Sequence, residues 1–110
     1  MTASDFDALV LPDRVHTSLY RDPAIFEEEM DRIFNRTWVW VAHQSDIPKP
    51  GDFITTYVGR QPVIVNRTKA GEVHVMVNRC RHRAATVCEA SKGNAAGFVC
   101  PYHAWTYAQD

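Results

Sequence analysis

Two short pairs of cysteine and histidine constrain this 110-residue chain more than any other feature of its sequence. Cys80 and His82 are separated by one residue, and Cys100 and His103 are separated by two. Gaps this short let one tight loop present a thiolate and an imidazole to the same point. The pattern C-x-H-x17-C-x2-H therefore predicts two loops, at the tips of neighbouring hairpins, that close around a metal centre.

Two kinds of metal centre suit this set of donors. Two thiolates and two imidazoles can bind a tetrahedral zinc ion, or a [2Fe–2S] cluster in which one iron takes both cysteines and the other both histidines. Zinc fingers usually pair Cys with Cys and His with His along the chain, whereas each loop here supplies one of each. No predicted helix is placed to carry a histidine pair. Both observations favour the iron–sulfur cluster.

The third cysteine and the overall charge narrow the class of protein. Cys88 is expected to be a small, buried apolar side chain, because four ligands already complete the site. An odd number of cysteines in a chain without an export signal argues against a disulfide framework. The net charge is −1, so no basic excess points to nucleic acid or to a membrane surface. Because no apolar run is long enough to span a bilayer, we expect a cytoplasmic protein.

A capped helix is predicted after an irregular arm at residues 1–20. Asp22 is a suitable N-cap, and Pro23 is a suitable first helical residue. Helical spacing continues to about Asn35, with an apolar face formed by Phe26, Met30, Ile33 and Phe34.

From residue 38 onward the sequence predicts β-strands. The runs WVWVA (38–42), FITTYV (53–58), PVIVN (62–66) and EVHVMVN (72–78) are short and rich in β-branched residues. Short turn-forming segments separate the last three runs, which predicts an antiparallel meander. Trp38 and Trp40 would share one face of the first strand, in the core or at a subunit interface. The predicted fold class is mostly β: small antiparallel sheets with two metal-binding hairpin loops, preceded by one N-terminal α-helix.

The stretch CRHRAATVCEASKGNAAGFVCPYHAWTY (80–107) resembles the Rieske motif of ring-hydroxylating oxygenase large subunits. It shares their C-R-H-R start, their G-N-A segment and their C-x-Y-H-x-W-x-Y end. The resemblance continues upstream through TWVWVAHQSDIPKPGDF (37–53) and the preceding helix. It implies an N-terminal arm and helix at residues 1–37, and a Rieske [2Fe–2S] domain at residues 38–110.

The resemblance also implies roles for individual residues. The cluster would be bound by Cys80 and Cys100 on one iron and by His82 and His103 on the other. Tyr107 would donate a hydrogen bond to a cluster cysteine. The side chains next to the ligands would be those of Trp105, Tyr107 and Arg83.

In this family, the Rieske domain takes electrons from a ferredoxin or a flavin-dependent reductase. It passes them to a mononuclear Fe(II) in a second domain, which activates dioxygen to hydroxylate an aromatic ring. The remaining histidines do not form the motif of that iron site: His16, His43 and His74. We therefore expect the electron-transfer part of a dioxygenase large subunit, truncated at its C-terminal end, without its catalytic domain and catalytically incomplete alone. Its assembly partners would be neighbouring alpha subunits in a trimer, and a beta subunit.

Two alternatives stay open at this point. The chain could be a free-standing Rieske ferredoxin that carries electrons, or a zinc-stabilised binding module without a redox role. The N-terminal helix favours the oxygenase over the carrier, because carriers usually begin at the strands. Arg79, Arg81 and Arg83 could form a docking patch for an acidic ferredoxin, or a solvated rim.

Two positions depart from the family pattern. Ala84 and Ala104 stand where the family usually has glycine. If these positions need a positive φ angle, each alanine would strain its loop by roughly 1 kcal/mol. The four candidate ligands are unaffected by either change.

Overall fold

The computed structural model describes residues 6–110, and the chain falls into two units that divide after Val39. In the first unit, β1 (Val10–Leu11) and β2 (Arg14–Val15) form a short antiparallel hairpin. A 3₁₀ helix follows at Thr17–Tyr20. The predicted irregular arm therefore contains regular structure, and its first five residues lie outside the described part. Within residues 6–110, no helix is long and apolar enough to cross a bilayer.

The predicted helix is present and capped as expected. α1 (Pro23–Glu29) begins after Asp22, whose carboxylate accepts a hydrogen bond from the Ala24 N–H at 2.8 Å. It continues into a π-helical segment, Met30–Phe34, and ends at Asn35 as predicted.

The apolar face of this helical segment differs from the prediction. Ile25 and Met30 are buried, whereas Phe26 and Ile33 are 45% and 48% exposed. The π turn begins at Met30 and joins residues five apart, so it replaces the 3.6-residue spacing on which the prediction for Ile33 rested.

The second unit is built on a four-stranded antiparallel sheet in the order β5-β4-β3-β6. Three of its strands confirm the predicted meander, and a short fourth strand pairs with the outer edge of β3. Their bounds are β3 (Asp52–Val58), β4 (Gln61–Arg67), β5 (Val73–Val77) and β6 (Lys92–Asn94). A separate two-stranded hairpin follows, made by β7 (Phe98–Val99) and β8 (Thr106–Tyr107).

The prediction of a strand at residues 38–42 was wrong. No strand is assigned there, and the segment leads into a short 3₁₀ helix at Gln44–Asp46. Trp38 is fully exposed and Trp40 is 78% exposed, so neither belongs to the core. β-branched and aromatic residues favour strands mainly through packing against a neighbouring strand, and this segment pairs with none.

The two faces of the four-stranded sheet carry separate cores. One face places Val63 and Val65 against Ile47. The opposite face places Phe53 and Ile64 in a cluster with Val87, Phe98 and the two cysteines Cys80 and Cys100. The Phe53 and Phe98 rings meet edge to face with centroids 5.4 Å apart. The second core therefore forms the floor on which the candidate site rests.

Candidate metal centre

The two loops that carry the Cys and His pairs share one backbone plan. In the first loop, the Cys80 N–H donates to the Ala85 carbonyl at 2.7 Å. In the second, the Cys100 N–H donates to the Trp105 carbonyl at 2.8 Å. Each cysteine thus closes a six-residue loop onto its own backbone, and the histidine lies inside the loop.

The fourth residue after each of these two cysteines adopts the left-handed backbone conformation, with a positive φ angle. Ala84 has φ 60° and Ala104 has φ 63°. The N–H groups of these alanines donate to the carbonyl oxygens of Cys80 and Cys100, at 2.8 Å and 2.9 Å. Both positions therefore have the positive φ that glycine adopts without strain, and the expected loop strain is present in the structure.

The structure places the four candidate ligands in two unlike pairs. Cys80 and Cys100 are buried, with 3% and 1% of their surface exposed. His82 and His103 are exposed, and their rings meet edge to face with centroids 4.8 Å apart. No group of three or more His, Cys, Asp or Glu side chains in residues 6–110 is arranged to hold a metal ion. A thiol pair on the inside and an imidazole pair on the outside thus characterise the site.

The Cys80 sulfur lies among hydrogen-bond donors. The Tyr107 hydroxyl oxygen accepts the Arg81 N–H at 2.9 Å, which leaves the hydroxyl hydrogen for the Cys80 Sγ at 3.2 Å. The hydrogen bond from this hydroxyl is the main cause that lowers the pKa of Cys80. Hydrogen bonds from the His82 backbone and the Cys100 thiol lower this pKa further, whereas burial acts to raise it. The same contact with Cys80 raises the pKa of Tyr107. Negative charge on this sulfur is therefore favoured.

Aromatic contacts connect the tips of the two loops. The Trp105 ring stacks on His82 of the other loop, with centroids 4.7 Å apart and planes 7° from parallel. The Arg83 guanidinium lies 5.9 Å from the centroid of the Tyr102 ring. The centroids of the Tyr102 and His103 rings are 3.8 Å apart. The three side chains predicted around the ligands all lie at the site: Arg83 and Trp105 make contacts between the two loops, and Tyr107 reaches the first loop from β8.

Asn78 is a site residue that the sequence analysis missed. It is 3% exposed. Its Oδ1 accepts from the N–H groups of Val87 and Cys88, at 3.1 Å and 2.9 Å, and its Nδ2 donates to the Cys88 carbonyl at 2.7 Å. These contacts hold the start of the first loop against its end. The two partner residues lie nine and ten residues after Asn78 in the sequence, so no local spacing pattern could have revealed these contacts.

The other cysteine and histidines lie apart from the two pairs. Cys88 is half-buried, its thiol donates to the Ala90 carbonyl at 3.7 Å, and burial raises its pKa. His16 and His43 instead cap short 3₁₀ helices through their ring nitrogens, and His74 lies 3.4 Å from Glu72.

An arginine rim, defined as Arg79, Arg81 and Arg83, borders a cleft beside the first loop. The cleft has a volume of about 730 Å³, and apolar side chains that include Ile64 line it. All three arginines are exposed, and no carboxylate in the described part of the chain forms an ion pair with them. The Asp110 side chain also lines this cleft. Positive charge is therefore concentrated next to His82.

The chain is similar to large subunits of aromatic dioxygenases. The chain is 46% identical over 97 residues to the anthranilate 1,2-dioxygenase large subunit of Acinetobacter baylyi, covering 88% of this chain and 21% of that protein. It is 48% identical to the biphenyl 2,3-dioxygenase alpha subunit of Rhodococcus jostii, covering 86% of this chain and 20% of that protein. A solved naphthalene 1,2-dioxygenase from a Rhodococcus species matches with a TM-score of 0.79 and 42% identity, over 86% of this chain and 22% of that one.

The chain thus spans about a fifth of the length of the relatives it matches. The family model of the Rieske [2Fe–2S] domain matches residues 37–110, from the end of the N-terminal helix to the last residue. That range contains both loops, the four-stranded sheet and the core between them. The chain belongs to the Rieske [2Fe–2S] domain family.

Proposed function

We propose that Cys80 and Cys100 bind one iron of a [2Fe–2S] cluster and that His82 and His103 bind the other. The donor set fits this group, because Rieske centres take two cysteines on one iron and two histidines on the other. The observation that carries the proposal is the sorting of the donors: two matched loops bring the thiols together inside and the imidazoles together outside.

A bound [2Fe–2S] cluster supplies reversible one-electron transfer. The chain's own residues prepare the site for it. The Tyr107 hydroxyl and nearby backbone N–H groups stabilise negative charge on the Cys80 sulfur, and the apolar floor excludes water from the two thiols. Exposure of His82 and His103 leaves the imidazole side accessible to a redox partner.

The wider role we propose is that of the electron-transfer domain in the large subunit of an aromatic ring-hydroxylating oxygenase. Electrons would pass from a ferredoxin or flavin-dependent reductase, through this domain, to a mononuclear iron held outside these 110 residues. The names of the relatives, which include anthranilate, biphenyl and naphthalene dioxygenases, support this role. We also propose a cytoplasmic location, assembly with neighbouring alpha subunits and a beta subunit, and a division into an arm and helix (1–37) and a Rieske domain (38–110).

The charge of the arginine rim supports the proposal that the electron donor has an acidic surface. The rim's three arginines line the same cleft as the exposed His82, and they form no ion pair with a carboxylate within residues 6–110. Opposite charge on a partner speeds the encounter and orients it, and this attraction weakens as salt rises. The donor would thus approach the imidazole side of the site.

Reconstitution with iron and sulfide tests the proposed ligands. The reconstituted chain is expected to be brown and to give a Rieske-type EPR signal after reduction. Cys80→Ala is expected to abolish both properties because it removes a ligand. Cys88→Ala is the matched control, since it removes a half-buried thiol outside both pairs and is expected to retain colour and signal.

Metal analysis and visible absorption separate the possible outcomes. A colourless chain that binds one equivalent of zinc, and takes up no iron under reconstitution, would show a zinc-stabilised module and refute the proposal. Loss of the cluster in Cys88→Ala together with its retention in Cys80→Ala would refute the proposed ligand set.

A further inference from the structure

Gln109 joins three separate segments of the second unit through its backbone and its side chain. Its carbonyl oxygen accepts a hydrogen bond from the Asn66 Nδ2 on β4 at 2.8 Å. Its Oε1 accepts from the Lys69 N–H in the β4–β5 turn at 3.1 Å. Its Nε2 donates to the Ala95 carbonyl, between β6 and β7, at 2.7 Å. One residue thus uses three of its polar groups to connect the segment after β8 to the sheet and to its neighbouring turns.

Gln109 lies two residues after Tyr107, just beyond a short hairpin. β7 and β8 pair at only two positions, Phe98 with Tyr107 and Val99 with Thr106. A two-residue ladder is too short to be stable by itself. The contacts of Gln109 are therefore the next anchor beyond Tyr107, and they hold the backbone that carries its ring.

The buried Asn66 indicates that this anchor has a specific purpose. Asn66 is 1% exposed, and its Oδ1 has no hydrogen-bond partner in the described part of the chain. An unpaired buried amide oxygen destabilises a fold, and an apolar side chain would avoid that cost. What the amide supplies in return is the Nδ2 hydrogen bond to the Gln109 carbonyl.

We infer that Gln109 is a positioning residue for Tyr107. By holding the chain after β8 against the sheet, it sets the depth at which the Tyr107 hydroxyl meets the Cys80 sulfur and the Arg81 N–H. The inference rests on the proposed function where it concerns the cluster, because hydrogen bonds to the ligand sulfurs set the reduction potential. The contact with the Arg81 N–H belongs to the protein alone.

Residue-resolved hydrogen exchange of the 110-residue chain tests the protein part of the inference. Gln109→Leu keeps the side chain similar in size and removes both of its hydrogen bonds. We expect exchange of the Arg81 amide to become about two- to tenfold faster, the range that corresponds to the net contribution of one hydrogen bond. Tyr107→Phe removes the acceptor and is expected to give at least the same effect. Gln61→Leu is the matched control, since it removes a glutamine hydrogen bond to the Pro62 carbonyl on the same sheet, and it is expected to leave Arg81 exchange unchanged.

The midpoint potential of the reconstituted chain tests the part that concerns the cluster. Gln109→Leu is expected to lower the potential in the same direction as Tyr107→Phe, by a smaller amount. The double variant Tyr107→Phe/Gln109→Leu is expected to match Tyr107→Phe alone, because Gln109 acts through the hydroxyl. Gln61→Leu is expected to keep the parent potential, which a general loss of packing would not predict.

Two results would overturn the inference: unchanged Arg81 exchange and potential in a folded Gln109→Leu chain, or additive shifts in the double variant. If Gln109→Leu does not fold, Gln109→Met replaces it in both experiments, since it is uncharged, similar in size and also removes the acceptor for the Lys69 N–H and the donor to the Ala95 carbonyl. Failure of the parent chain to bind any cluster would refute the proposed function, whereas the exchange experiment would still decide the role of Gln109.

Discussion

At the scale of single residues, the backbone of the two loops depends on alanines in an unfavourable conformation. Ala84 and Ala104 are the positive-φ residues other than glycine within residues 6–110. Their Cβ atoms crowd the backbone there, yet their N–H groups must point at the cysteine carbonyls to close the loops. The loops therefore retain strain at the positions that shape the candidate site.

Replacing these alanines with glycine is expected to stabilise the chain. Ala84→Gly and Ala104→Gly should each raise the free energy of unfolding by about 0.5–1 kcal/mol, because glycine adopts positive φ without strain. Urea unfolding monitored by circular dichroism measures the change. Ala70→Gly is the control: Ala70 is exposed and has no positive φ, so this change should be neutral or destabilising. Equal effects at all three positions would contradict the strain argument.

Residue types that carry their own chemistry were visible in the sequence, whereas supporting residues were not. The spacing of Cys80, His82, Cys100 and His103 singled them out, and Tyr107 followed from the resemblance to Rieske motifs. Asn78 and Gln109 are ordinary amides whose importance comes from partners 9–43 residues away. Such partners are defined by the fold, so composition and spacing could not identify them.

At the scale of elements, the β7–β8 hairpin requires an unusually close approach of two backbones. A Cβ atom at Gly97 would lie 2.9 Å from the Tyr107 carbonyl oxygen. That distance is shorter than a normal contact between the two atoms, and the obstacle is backbone, which cannot rotate away. A glycine just before β7 therefore lets this strand lie close to β8 at Tyr107, whose hydroxyl meets Cys80 of the first loop.

Gly97→Ala is expected to disrupt this hairpin and the site together. Forcing the strands apart should lower the free energy of unfolding by about 1–3 kcal/mol, the usual range for overpacking, and should reduce cluster retention on reconstitution. Gly71→Ala is the comparison, because it meets no atom within 4 Å but imposes a side chain at φ +87°. It should destabilise the chain and leave cluster retention unchanged. Normal retention in Gly97→Ala would show that the hairpin tolerates the extra atom.

Elements with a clear local signal were predicted well, and those without one were not. The helix at Pro23 begins at its capping residue, and β3, β4 and β5 follow the β-branched runs. The run WVWVA has the same composition and forms no strand, because a strand also needs a neighbour to pair with. β6 has the sequence KGN, which carries no strand signal, and it forms only because β3 offers a free edge.

At the scale of the whole molecule, the candidate metal site and the hydrophobic core of the second unit share residues. The two thiols belong to the same buried cluster as Phe53, Ile64 and Phe98. A core this small stabilises a fold only modestly, and small domains are often stabilised by metals. Binding at the site should thus be coupled to folding.

Removal of the cluster is therefore expected to weaken the fold. The reconstituted chain should be more stable than the metal-free chain by roughly 3 kcal/mol, the gain for a ligand present at about 100 times its Kd. Urea unfolding of both forms, followed by far-UV circular dichroism, provides the comparison. Cys80→Ala, treated with the same reconstitution mixture, should gain nothing. Coincident curves for the two forms of the parent chain would show that folding and binding are independent.

The sequence by itself determined the four candidate ligands, the capped helix and the three long strands. These features depend on spacing and alternation within a few residues, which can be read without a fold. Only the tertiary structure decided that the thiols pair inside and the imidazoles outside, which of the two cysteines Tyr107 reaches, and that Gln109 bonds to three distant segments. Contacts between residues so far apart in sequence depend on the register and pairing of the strands, because these place distant segments side by side.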